Sequence, residues 1–109
     1  MTRAIDNVQP CTTMQDVRRH IDALDDVLVS LLVQRGGYMT QAARIKQDPA
    51  QVRDEERIET IVERVRARAS VEGGPPEVLE AIYRSMMEAY IDYEHREFAR
   101  QHAPQGAQP

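Results

Sequence analysis

Apolar positions fall into three periodic stretches separated by two breaks. In the first, Met14, Val17, Ile21, Leu24, Leu28, Leu31, Arg35, Tyr38, Ala42 and Ile45 follow at alternating steps of three and four without a slip. Side chains at that spacing share one face of an α-helix, and a heptad sustained this long predicts a helix packed along its length against another. Thr12, with Gln15 three residues on, offers a capping-box start. Every member of the seam is apolar or aromatic except Arg35.

Asp48-Pro49 marks the first break. A second helix is expected from about Val52 to Ala69, with Ile58, Ile61, Val62, Val65 and Ala69 on one face, until "GGPP" (73–76) stops it. The third opens after Pro76 and carries Val78, Leu79, Ile82, Tyr83, Met86, Tyr90, Tyr93 and Phe98. The expected fold class is all-α, three helices with a long first one. Residues 1–10, polar and containing Pro10, read as a flexible arm, 11–101 as the helical domain and 102–109, rich in Pro, Gly and Gln, as a disordered tail.

The first helix would span roughly 33 residues, or about 50 Å, whereas a compact domain of this size has a radius of gyration near 13 Å. Two shorter helices cannot cover such a rod. A second copy would, and closed two-fold dimers are the commonest assembly of that kind. The expectation is an entwined helical homodimer.

Composition narrows the function. The net charge is −4 and the pI near 5.3, which argues against a nucleic-acid binder with its basic patch. No stretch is long and apolar enough to suggest a membrane partner. A single cysteine, Cys11, cannot form an internal disulfide, and "MTRAIDNVQP" lacks a signal peptide's apolar run, so a cytoplasmic location is expected. His20, His95 and His102 show no ligand spacing, and no metal or cofactor is expected.

Basic residues are lopsided: thirteen Arg and one Lys, Lys46. From Arg35 to Lys46 is eleven residues, about three turns, so both leave one face, with small Ala42 between them. Cations inside a packed seam are costly without an anion. An intramolecular ion pair could supply it, from among 18 acidic residues. Alternatively, if two first helices pair antiparallel about residue 29 or 30, residue 18 of one falls beside residue 41 of the other. Arg18 then becomes a third cation in one pocket. A small dianion suits that set, because guanidinium binds carboxylate through two parallel bonds.

With these features the chain resembles the all-helical chorismate mutases and the related isochorismate-pyruvate lyases over about residues 11–100. The resemblance rests on the order and spacing of "DVRRHIDALDDVLVSLLVQR", "ARIK", "VRDEERI" and "MMEAYIDYE". It implies an entwined dimer of three-helix chains and a cofactor-free chorismate mutase of aromatic amino-acid biosynthesis. Arg18 from one subunit and Arg35 from the other would hold the two carboxylates. Lys46 would sit by the ether oxygen, Arg57 in the second helix, Asp54 near the ring hydroxyl and Glu94 facing the ether oxygen. Arg35, Lys46 and Glu94 would then be catalytic, with Arg18, Asp54, Arg57 and Tyr90 binding substrate.

There are departures from the family pattern. Ile58 stands where many mutases have Glu, and Tyr90 where a small hydroxyl residue is common; the lyases are similarly apolar and aromatic there, and "CTTMQDVR" resembles their N-terminus. An isochorismate-pyruvate lyase giving salicylate and pyruvate for siderophore synthesis is therefore the alternative. A non-catalytic helical dimerisation module is a further one. Gly36 and Gly37 are atypical, each costing about 1 kcal/mol relative to Ala inside a helix. They imply close backbone approach at the dimer crossing, or a kink.

Overall fold

The computed structural model describes residues 2–104. Met1 and, within the expected tail 102–109, residues 105–109 lie outside them. Three α-helices form α1 (Met14–Ile45), α2 (Glu55–Val71) and α3 (Pro76–Gln101), with no strand among the described residues. The all-α expectation with a long first helix holds.

Helix boundaries are set by side-chain caps. Thr13, not Thr12, caps α1: its backbone is extended and its hydroxyl accepts from the Asp16 N–H at 3.1 Å, filling one of the helix's unpaired donors. α2 begins at Glu55 rather than near Val52, because Asp54 is its cap and accepts from the Arg57 N–H at 3.0 Å. Pro49–Gln51 form a separate 3-10 turn, which frees Val52 to bury its side chain. Gly73 ends α2 with φ +84°, a left-handed residue that glycine adopts without strain. Gly74 N–H bonds the Ala69 carbonyl at 2.8 Å and Gly73 N–H that of Ser70 at 3.2 Å, the paired closure of a Schellman turn. Pro76 then occupies the first position of α3, where its missing N–H costs nothing.

Residues of the expected arm rest on that turn. Ala4–Asn7 form a 3-10 turn, and Ile5 N–H donates to the Glu72 carbonyl at 3.1 Å. At the other end of α3, His102 stacks on Phe98 with ring centroids 4.0 Å apart.

The core is small. Ala43, Val52 and Phe98 form one cluster, and Ile58, Val62 and Met87 another, bridged by Ile91. α1 joins it only through its C-terminal half, where Gly36 and Ala43 are the buried residues. The seam read from the sequence points elsewhere: Met14, Ile21, Leu24, Leu28, Leu31, Tyr38 and Ile45 are 49–69% exposed. The Cα radius of gyration is 18.2 Å. Accessible surface is 8523 Å², against about 6,200 Å² for a compact monomer of this mass.

α2 and α3 are clamped outside by Arg84, whose guanidinium takes Glu59 through two bonds of 3.0 and 3.1 Å and Glu80 through Nε at 2.7 Å. Arg66 adds a second bond to Glu80. The Arg84 hydrogen bonds hold the Glu59 carboxyl below its ordinary value of 4.5. Arg84 and then Arg66 do the same for Glu80. A carboxyl lowered on folding stabilises the native state above its unfolded value, and that contribution is lost as pH falls through the folded value. Arg84→Gln should therefore lower the urea midpoint at pH 7. The gap to wild type should close below pH 4.5 and narrow at high salt. A gap independent of pH would show that the clamp acts by packing alone.

Candidate active site

A cavity of about 300 Å³ lies between the C-terminal half of α1, the 51–54 connection, the start of α2 and the second half of α3. Its charged lining is Arg35, Lys46, Asp54, Arg57 and Glu94, and Tyr90 forms part of its wall. Six of the seven residues expected from the sequence are thus brought together by one chain. Arg18 is not: it is exposed on the uncovered half of α1.

Local structure explains each placement. Lys46 is the C-cap of α1 with extended backbone, and its side chain crosses to α3, donating to Glu94 Oε2 at 2.8 Å and to the Val52 carbonyl at 3.4 Å. The Glu94 side chain is 4% exposed and that of Lys46 28%, so the pair is largely withdrawn from water. Asp54 lines the cavity but commits Oδ1 to capping α2. Arg57 follows one turn later. The Arg35 guanidinium carbon lies 5.7 Å from the centroid of the Tyr90 ring, within cation–π range.

Neither Arg35 nor Arg57 has a carboxylate within salt-bridge range among the described residues. The intramolecular ion pair that could have explained Arg35 is absent from that set. The cavity holds three cations against two carboxylates, a surplus of one positive charge. A neighbouring cleft of about 270 Å³ shares Arg35 and Arg57 with it and adds Arg64, Arg68 and Tyr83, so the surface beside the cavity is cationic although the chain's net charge is −4.

Some features were hidden from sequence reading. Tyr90 turns its hydroxyl away from the cavity to donate to the Leu32 carbonyl, leaving the ring as wall. α1 runs without a break through Gly36 and Gly37. The close approach is of Gly36 to Tyr90 of the same chain. Gln51 joins the lining, its Oε1 accepting from the N–H groups of Gln47 and Asp48 at 3.0 and 3.2 Å. The signal was present in "DPAQ", where acid and amide three apart make a reciprocal cap.

A larger hollow of about 420 Å³ lies between Ile5 and Val8 of the N-terminal segment and Val65, Ala69, Leu79 and Tyr83. Its lining is mainly apolar and holds no converging cations, so the smaller cavity is the candidate for chemistry.

Residues 17–95 match the family described as chorismate mutase type II. That span contains Arg18, Arg35, Lys46, Asp54, Arg57, Tyr90 and Glu94. No curated protein matches the chain.

Proposed function

The chain belongs to the chorismate mutase type II family, and from that premise we propose that it is a homodimeric, cytoplasmic chorismate mutase converting chorismate to prephenate for aromatic amino-acid biosynthesis. One observation carries the reading: Arg35 and Arg57 line a cavity whose cations outnumber its carboxylates, and neither has a carboxylate within salt-bridge range among the described residues. Arg35 is half-buried, where a cation without a partner carries a desolvation cost, and a dicarboxylate substrate supplies the missing charge.

The reaction is a concerted rearrangement that needs neither nucleophile nor base. The protein holds the folded conformer, which is catalysis by positioning, and stabilises charge growing on the ether oxygen. Arg35 takes a carboxylate as a planar fork. Lys46, kept at the cavity by Glu94 and the Val52 carbonyl, donates to the ether oxygen. Glu94 donates to that oxygen only when protonated. Glu94→Gln, which places an amide N–H donor at that point, is expected to keep turnover while Glu94→Ala loses it; equal losses in both variants would remove this role.

A second copy is supported by the uncovered seam. Val27, Leu28, Val29, Leu31 and Val33 are 51–69% exposed and spread over more of α1 than the seam alone, a wide apolar surface for a partner to cover. Ser30 is the centre of that run, where an antiparallel crossing would put its two-fold axis. The excess surface, about 2,300 Å² per chain, falls in the class of obligate homodimers. Crossing there carries Arg18 to the partner's cavity. The surplus then becomes two positive charges, matching a dianion.

One observation favours the lyase as a second reading. Ile58 and the Tyr90 ring form an apolar wall, and the Tyr90 hydroxyl is already bonded to Leu32, so that wall offers a ring hydroxyl no partner. The deciding assay gives purified protein chorismate and isochorismate separately. Prephenate as the faster product supports the mutase, and salicylate with pyruvate the lyase. No turnover of either leaves a dimerisation module, for which Arg35→Met and Lys46→Met cost no function.

A further inference from the structure

Gly36 is buried on the side of α1 that meets α3, and its backbone is ordinary helix. Conformation does not require glycine there; space does. A Cβ at this position would stand 2.8 Å from Tyr90 Cε1, 3.1 Å from its hydroxyl oxygen and 3.3 Å from Cζ, well inside the separation at which carbon atoms attract. Gly37 has nothing within 4 Å of the same construction.

The ring is not free to step aside. Its hydroxyl donates to the Leu32 carbonyl, and it meets the Tyr93 ring edge-on at 6.3 Å. The Tyr93 hydroxyl is held 2.8 Å from Thr40 Oγ1, and Thr40 donates to the Gly36 carbonyl at 3.4 Å. The circuit closes on the same turn of α1. Over the exposed part of this clamped ring lies Arg35, which no described carboxylate fixes. Tyr90 is therefore the group that decides where that guanidinium rests.

We propose that Gly36 is a positioning residue: by leaving room for the Tyr90 ring against α1, it sets where Arg35 presents its guanidinium to the substrate. The inference rests on reading Arg35 as a carboxylate ligand. It also accounts for the atypical glycine and the atypical tyrosine as one feature, since a bulky ring on α3 needs a bare backbone opposite.

A double-mutant cycle tests it. Gly36→Ala is expected to lower kcat/KM for the preferred substrate about tenfold, mostly through KM, the effect of losing a partly buried cation–π anchor. In a Tyr90→Ser background, where no ring is left to displace, the same change should have no further effect. Gly37→Ala should keep wild-type kinetics. Helix propensity alone predicts the opposite, that alanine at either position is harmless or stabilising. A second readout is independent of turnover. The Arg35 Nε–H resonance, shifted by the Tyr90 ring current in wild type, should move in Gly36→Ala toward its position in Tyr90→Ser and stay in place in Gly37→Ala. Wild-type kinetics with an unmoved resonance in Gly36→Ala, or equal losses in both backgrounds, overturn the proposal. A moved resonance in a protein that turns over neither substrate upholds the positioning and sinks the functional reading instead. If Gly36→Ala fails to fold, recovery of folding in the Tyr90→Ser background places the clash at the ring, and misfolding in both backgrounds overturns it.

Discussion

Arg35→Ala is expected to lower kcat/KM about a thousandfold, the loss that follows from truncating one partner of a desolvated, hydrogen-bonded charge pair. The protein should remain folded. Arg35 is half-buried at the cavity and no described carboxylate depends on it, so its removal leaves no orphaned anion and takes away an uncompensated cation. The thermal midpoint should thus match or exceed that of wild type, a dissociation of activity from stability that a structural arginine would not give. Arg35→Lys keeps the charge but not the planar fork, and should recover only a small part of the loss. Activity of Arg35→Ala within tenfold of wild type would remove this residue from the site, and with it the argument from unneutralised charge.

The same residue shows what sequence alone could and could not reveal. Arg35 was legible because it interrupts a ten-member apolar seam, and periodicity makes an interruption visible. The seam also forecast its own fate, since a stripe that continues beyond the reach of two shorter helices must face something else. The face by which α1 meets α3 was not legible. It consists of Leu32, Gly36, Thr40 and Ala43, mostly small or polar residues that carry little hydrophobic signal. Their role comes from letting α3 approach.

Cap positions were missed for a related reason. Thr12 and Thr13 are equivalent as residue types, and only the backbone angles at Thr13 let its hydroxyl reach Asp16. Asp54 displaced Val52 as the start of α2 because a side-chain acceptor outweighs an apolar periodicity that Val52 satisfies equally well from the preceding turn. The Lys46–Glu94 contact joins residues 48 apart, a distance no local pattern encodes; the resemblance named both residues but did not imply their direct bond.

The second large effect concerns the residue one chain does not deliver to the cavity. Arg18→Ala and Lys46→Ala should each be nearly inactive as pure proteins, yet activity should return when the two are unfolded together and refolded as a mixture. In the heterodimer, one site receives Arg35 and Lys46 from the Arg18→Ala chain and the intact Arg18 from its partner, while the other site carries both defects. Random pairing makes half the dimers mixed, each with one good site of two, so about a quarter of wild-type activity is expected at equal proportions. Were Arg18 to serve the cavity of its own chain, every site would keep one defect and mixing would restore nothing. Were the protein a monomer, the result would be the same, and sedimentation would show it at half the expected mass. The exposed seam makes the monomer physically expensive: seven seam residues 49–69% exposed in water, at about 25 cal/mol for each Å² of apolar surface left uncovered, are a force toward pairing that a core of two small clusters does not offset. Recovery near a quarter would therefore tie assembly and chemistry to one cause, since a helix crossing that covered the seam would by the same geometry carry Arg18 to the site.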